Sequence, residues 1–326
     1  MLKSVTRTAV VLSLLSLVRL AQAGDIFGEN PQLEQLWNEG TFTEGVAVAK
    51  DGRVYFSDIS RGDEPGRVLR FDPATGTTAV FCGNSGQSNG LMFDKSGRLL
   101  AACGANHGRR ALCVIGEGDK VKELVTNVEG KHFNSPNDLV IHPNGFVFFS
   151  DPRYVGEEPI EFDLMWVFRF DPATGKAVRA TAEVTKPNGV IISPDGKTLY
   201  VAETNNGSPE FGERAKEPKM ALHAFTIGEG GELEDHRQLV EFDPAGGIDG
   251  MTMDTQGRIY AAFRNPDHFG IKVMNSEGKE LDLLPTPDLP TNCCFGRGKD
   301  NGTLYLTVGT GLYRIKTGST GFHTVE

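Results

Sequence analysis

Four oxygen-bearing side chains, Glu44, Asn137, Asn188 and Asp249, recur at one position of a repeated unit and could together ligate a hard cation. Each stands just before a short apolar run. A Gly-centred turn and a second apolar run follow, as in Asp249 through Phe263. Two carboxylates and two amides offer oxygen alone, a donor set that suits Ca²⁺ best. Zn²⁺ usually takes His or Cys, and neither occupies these positions. Zn²⁺, Mg²⁺ and Mn²⁺ stand as the alternatives, with water completing the coordination sphere. Asn89 and Asn292 fill the same position in two further copies. They read either as holders of water or substrate, or as Asx-turn residues that merely start a strand. Glu44 resists that second reading, because a long carboxylate is a poor turn residue. Asp138, beside Asn137, reads equally as support for the cation shell or as an ordinary turn residue.

The elements that must position these groups follow from the repeat. Copies span 43–58, 88–102, 136–151, 187–202, 246–264 and 291–308, and the key positions lie 43 to 61 residues apart. Several short strands per unit at about this period indicate a β-propeller. The heptapeptide Arg-Phe-Asp-Pro-Ala-Thr-Gly occurs twice, at 70–76 and 169–175, between apolar strands. Pro fixes φ and Gly takes positive φ, so it reads as the hairpin between strands three and four of a blade. The expected fold is all-β: a six-bladed propeller of four-stranded antiparallel blades. The last repeat has no room for a fourth strand, and residues 32–37 can supply it and close the ring. Closure matters because an open sheet edge invites association. Residues 24–30 read as a loose leader, and 24–326 as one propeller domain.

In a four-stranded meander the loop after strand two lies on the face where strand one begins. The long loops here, 104–110, 151–164, 203–219 and 264–270, are of that kind. They should rim the mouth above the four oxygen donors. His107, Arg153, Tyr154 and Glu203 on those loops are the expected substrate-binding residues, with Arg109, Asn205, Arg264 and His268 also on the rim. The 203–219 loop reads as a lid or rim, with a floppy insertion as the alternative. His223, His236 and His323 read as surface residues.

Residues 1–23 have the form of a signal peptide: Lys3 and Arg7, then the apolar run 8–18, then Ala21-Gln-Ala23. A membrane anchor is the alternative reading, although the run is short for a bilayer. Export, to the periplasm or outside the cell, is therefore expected. Cleavage would take the net charge from −10 to −13 by removing Lys3, Arg7 and Arg19. That balance disfavours nucleic acid as a partner and is compatible with cations and small substrates. Export would permit disulfides among the five cysteines. Cys103 with Cys113 is the candidate pair, and a vicinal Cys293–Cys294 bond the strained one. No G-x-S-x-G, His-Glu-x-x-His, P-loop or dinucleotide motif is present.

The stretches Thr43-Glu-Gly-Val-Ala-Val, Phe133-Asn-Ser-Pro-Asn-Asp-Leu-Val-Ile-His, Phe149-Ser-Asp-Pro-Arg-Tyr, Lys186-Pro-Asn-Gly-Val and Gly247-Ile-Asp-Gly-Met carry a resemblance. Over about 31–317 the chain resembles the gluconolactonase, senescence marker protein (regucalcin) and luciferin-regenerating enzyme superfamily. The resemblance implies a six-bladed propeller with one divalent cation in the channel, held by Glu44, Asn137, Asn188 and Asp249. It implies a hydrolase of lactones or related esters, with Asp249 as general base. Direct attack by Asp249 is the runner-up mechanism. Some members place an Arg two residues before the blade-three Asn; Ser135 stands there instead, so sugar specificity does not carry over. The rival class is a non-enzymatic propeller that binds a small ligand or protein, with Ca²⁺ only stiffening the channel.

Overall fold

The structure, a computed structural model, describes residues 26–325. The signal-peptide expectation at 1–23 lies outside the described residues. The chain forms six four-stranded antiparallel sheets, five of them meanders in chain order from the axis outward. Their innermost strands are Thr43–Val48, Ser88–Phe93, Leu139–Ile141, Pro187–Ile192, Gly247–Met253 and Pro290–Phe295. Each packs beside the next around the axis, and the sixth returns to the first. A two-stranded ribbon, Asn127–Val128 with Lys131–His132, links blades two and three. The ring closes as expected. Glu34–Trp37 pairs antiparallel with Gly311–Lys316 and becomes the outermost strand of blade six.

Side-chain alternation explains why the second strands are apolar throughout. Successive residues of a strand face opposite sides. In Val54–Asp58, Val54 and Phe56 pack toward blade six, while Tyr55 packs toward blade two. Both faces are interior, so the strand is buried along its whole length. The core is accordingly divided among the six seams between adjacent blades rather than gathered in one centre. Both heptapeptides form the hairpin between third and fourth strands, joining Arg67–Asp72 to Thr77–Cys82 and Trp166–Asp171 to Lys176–Thr181.

Two details differ from expectation. Residues 24–30 are not all a loose leader. Ile26 and Phe27 are buried in the seam between blades five and six, with the Phe27 ring edge-on to Tyr260. The five cysteines are free thiols. Cys103 and Cys113 are both buried in the seam between blades one and two, and Cys293 and Cys294 cannot share a face because they are neighbours in one strand. The segment after the last strand packs beneath the ring. Phe322 donates its N–H to the Met253 carbonyl at 2.9 Å and Arg297 reaches the Val325 carbonyl at 3.0 Å. Phe322, His323 and Thr324 thereby line a cavity of about 90 Å³ at the far end of the channel.

Candidate active site

The candidate ligands stand where the innermost strands leave regular pairing. The ladder slips between Glu44 and Val46, Ser88 and Leu91, Pro187 and Val190, and Ile248 and Met251. Glu44, Asn89, Asn188 and Asp249 therefore sit in or beside bulges, which re-aim a side chain out of the alternation. In blade three the ladder begins only at Leu139, leaving Asn137 before it. The residue after the bulged one is glycine in four copies. A Cβ on Gly189 would stand 2.2 Å from the Asp249 carbonyl oxygen, and one on Gly250 2.2 Å from Asn292 Cγ. These glycines let neighbouring strands converge on the axis.

Glu44, Asn137, Asn188 and Asp249 all line one cavity of about 550 Å³. It lies at the end where the innermost strands begin. Phe42, Ile59, Pro136, Tyr154 and Val155 supply apolar wall, and Asn89, Asn106, Asn206 and Arg264 supply polar wall. Glu44 and Asp249 are each only 3 % exposed. Burial pushes the Glu44 carboxyl well above the usual carboxylate range, and the nearby Asp249 charge pushes it further. Burial also raises Asp249, against the pull of Arg264 and the Asn188 amide. Asn188 Nδ2 donates to the Tyr154 hydroxyl at 3.2 Å, and Tyr154 in turn donates to the Thr204 carbonyl at 2.9 Å. This chain fixes the amide so that Asn188 Oδ1, buried, is left without a partner. Two crowded carboxylates and an orphaned amide oxygen fit a hard divalent cation. Among the described residues no three His, Cys, Asp or Glu side chains cluster as a metal site; this set has two carboxylates and two amides.

The chain matches the SMP-30/Gluconolactonase/LRE-like region over residues 42–310. It belongs to this family. It is 28 % identical over 313 residues to a gluconolactonase of Zymomonas mobilis, covering 89 % of this chain and 82 % of that protein. The solved gluconolactonase of Xanthomonas campestris superposes with a TM-score of 0.75 at 28 % identity, over 91 % of each chain. A calcium-binding protein, regucalcin, from Agrobacterium tumefaciens shares the fold, with a TM-score of 0.68 at 18 % identity over 94 % of this chain and 98 % of that one. Family and fold accord with hydrolysis of the lactone type.

Against this gluconolactonase-like frame, the rim residues expected from sequence divide. Tyr154 and Arg264 line the central cavity. Arg264 Nη1 lies 3.1 Å from Asp249 Oδ2. His107 does not line it; its imidazole is largely exposed, 3.8 Å from Asp63, and it is the backbone N–H of His107 that Glu158 binds, at 2.8 Å. Arg153 turns away under its own loop, donating to the Gly156 and Glu158 carbonyls at 3.1 Å. It borders a neighbouring hollow lined by Val155, Glu157 and Ile160. Glu203 is fully buried inside blade four, not on the rim. It accepts from Thr185 and from His223 Nε2 at 2.9 Å, with Lys219 Nζ at 3.2 Å. His223 is likewise interior, 1 % exposed, and its other ring nitrogen meets His236 at 2.9 Å. Glu203 sits in a second strand that runs on to Asn205, so its side chain follows the pleat into the blade.

The 203–219 loop is folded rather than a floppy insertion, and it joins the rim through Asn206. Short helices Pro209–Phe211 and Glu213–Lys216 pack Phe211 and Ala215 onto Met165, and Asn205 Nδ2 ties the two ends together through the Ala215 and Glu217 carbonyls. Asn206 alone of this loop reaches the cavity. Its Oδ1 accepts from Lys186 Nζ at 2.7 Å, and that ammonium lies 4.3 Å from the Tyr154 ring centre. Sequence reading passed over Lys186, whose signal was faint: a lysine two residues before a candidate ligand. Asp138 is more than an ordinary turn residue. Its two oxygens accept the Leu139 and Val190 N–H groups at 2.9 and 3.1 Å, stitching blade three to blade four.

Proposed function

We propose that the chain is a metal-dependent hydrolase of lactones or related esters, a sugar lactonase of the gluconolactonase kind. The single observation that carries this is the pairing of two buried carboxylates, Glu44 and Asp249, with the orphaned Asn188 Oδ1 in one cavity open to solvent. Glu44, Asn137, Asn188 and Asp249 would hold one divalent cation, Ca²⁺ by donor chemistry. The calcium-binding relative of the same fold supports that choice. When bound, such a cation polarises the lactone carbonyl and stabilises the developing oxyanion.

The chain's own residues account for the rest. Asp249 accepts a proton from the attacking water as its oxygen bonds to the carbonyl carbon. The ring C–O bond then breaks, and the proton passes from Asp249 to the departing alkoxide. Tyr154 and Lys186 hold Asn188 and Asn206 in place around the substrate. Phe42, Ile59 and Val155 shed water from the carbon skeleton. The product is a hydroxy acid, whose ionisation releases a proton. We also propose export, on the form of residues 1–23.

The test is a pH-drop assay over a panel of aldonolactones. Activity should vanish with chelator, return with Ca²⁺, and fall at least ~100-fold in Asp249→Asn. Activity that survives both treatments sinks the metal mechanism. No turnover of any lactone, with Ca²⁺-dependent melting intact, leaves a ligand-binding propeller in its place.

A further inference from the structure

We infer that Arg264 is the anchor for a substrate or product carboxylate, and so a specificity-determining residue of the cavity. The inference rests on the hydrolase reading for its choice of ligand, but its geometry stands separately.

Arg264 ends the second strand of blade five, paired with Gly247, so its side chain leans over Asp249 on the adjoining strand. Nη1 lies 3.1 Å from Asp249 Oδ2. Among the described residues, that carboxylate is the only ion-pair partner of the guanidinium, and the same side chain is 31 % exposed toward the cavity it lines. A guanidinium has five donors in a planar fork, and one carboxylate oxygen uses few of them. The rest of the fork faces space that a ligand would fill.

Charge makes the ligand's sign definite. Glu44 and Asp249 bring two negative charges to the cavity floor, and Arg264 one positive charge. Arg61 also lines the cavity, but its guanidinium sits at the exposed rim, 5.1 Å over the Phe42 ring. Asp138 lines the cavity at the opposite end. With both carboxylates ionised, the floor without its cation is net negative by one. A divalent cation among the four oxygen donors turns it net positive by one, and only because Arg264 is present. A site of that sign favours a monoanion, which is what a hydroxy acid becomes on ring opening. Guanidinium and carboxylate match in planar, two-point fashion. Opening the ring would therefore create the group that Arg264 binds best, leaving the neutral lactone to be held by the polar wall.

The rival reading makes Arg264 a mere counter-charge for Asp249. The two diverge in titration calorimetry on the mature full chain with saturating Ca²⁺. The probes are D-gluconate and D-glucitol, the same skeleton without the carboxylate. Arg264→Gln should weaken D-gluconate by about 10- to 100-fold, the worth of one charge-assisted contact, and leave D-glucitol within about twofold. Arg264→Lys should retain an intermediate affinity, since a point charge lacks the planar fork. A counter-charge alone would give tighter Ca²⁺ binding in Arg264→Gln with D-gluconate unchanged, and that result overturns the inference. Equal loss of both probes overturns it too, as does a wild-type chain that binds neither. Should Arg264→Gln fail to fold by circular dichroism, Arg264→Lys decides by the same comparison. Carboxylate selectivity through Arg264 without lactone turnover would sink only the hydrolase reading. Turnover with selectivity untouched by substitution would sink only this one.

Discussion

Gly189 lies directly against the backbone of Asp249: a Cβ there would come within 2.2 Å of the Asp249 carbonyl oxygen. Blade four thus approaches blade five at the one point where blade five presents its candidate base. Backbone cannot yield as the tip of a flexible side chain can. Gly189→Ala should destabilise the chain by about 1–3 kcal/mol through overpacking and displace Asp249. Thermal melting and Ca²⁺ titration would show both effects. Gly62→Ala is the control, because nothing lies within 4 Å of a Cβ at that position. Equal melting of the two variants would contradict the close approach.

Removing the cation should expose the repulsion between Glu44 and Asp249. Burial first, and the Asp249 charge second, raise the folded pKa of Glu44. A raised carboxyl pKa destabilises the fold as pH climbs from the unfolded value toward the folded one, and above that the penalty is constant. In chelator at pH 7, Glu44→Gln should therefore melt above wild type. With saturating Ca²⁺ the order should reverse. An unchanged order in both buffers would mean that Glu44 neither crowds Asp249 nor holds the ion.

Glu203 gives the opposite sign. Burial pushes its pKa up, but hydrogen bonds from His223 and Thr185 more than offset this and bring it to about 2. A depressed carboxyl pKa contributes stability that is present above the unfolded value and is lost as pH falls toward the folded one. Wild type should lose about 3 kcal/mol from this group between pH 4.5 and 2. Glu203→Gln should flatten that part of the stability curve. Turnover at neutral pH by the folded variant should change little, because Glu203 does not line the central cavity.

Deleting residues 321–326 should open the underside. The deletion removes the Phe322 to Met253 and Arg297 to Val325 hydrogen bonds. It also uncovers the cavity lined by Cys293 and Cys294. Cys294 should then react faster with a thiol reagent, and the melting temperature should fall. A rate equal to that of the full chain would show that the tail shields nothing.

Much of the fold was legible because a propeller writes its period into the sequence. The Gly-centred turns, the duplicated Arg-Phe-Asp-Pro-Ala-Thr-Gly and the missing last strand were each visible as text. Convergence of Glu44, Asn137, Asn188 and Asp249 on one cavity followed from their shared place in the repeat. The rim was harder. Loop length indicates which face a loop adorns, not which side chains turn inward. Glu203 and His223 looked like rim and surface, yet the strand Thr198–Asn205 runs further than the repeat indicated and its pleat carries Glu203 inside. Ile26, Phe27 and the tail at 322–324 belong to no repeat, so periodicity had nothing to say about them.

Glu44 and Asp249, each only 3 % exposed, set the candidate ion site at the bottom of a cavity whose walls stand above it. Whatever settles deepest must arrive before the molecule that covers it, and must leave after it. Product lingering over the floor would seal in anything below, so slow escape of an anion would also slow the exchange of an ion. That ordering comes from depth alone: the donors lie where the innermost strands begin, beneath the loops that wall the mouth.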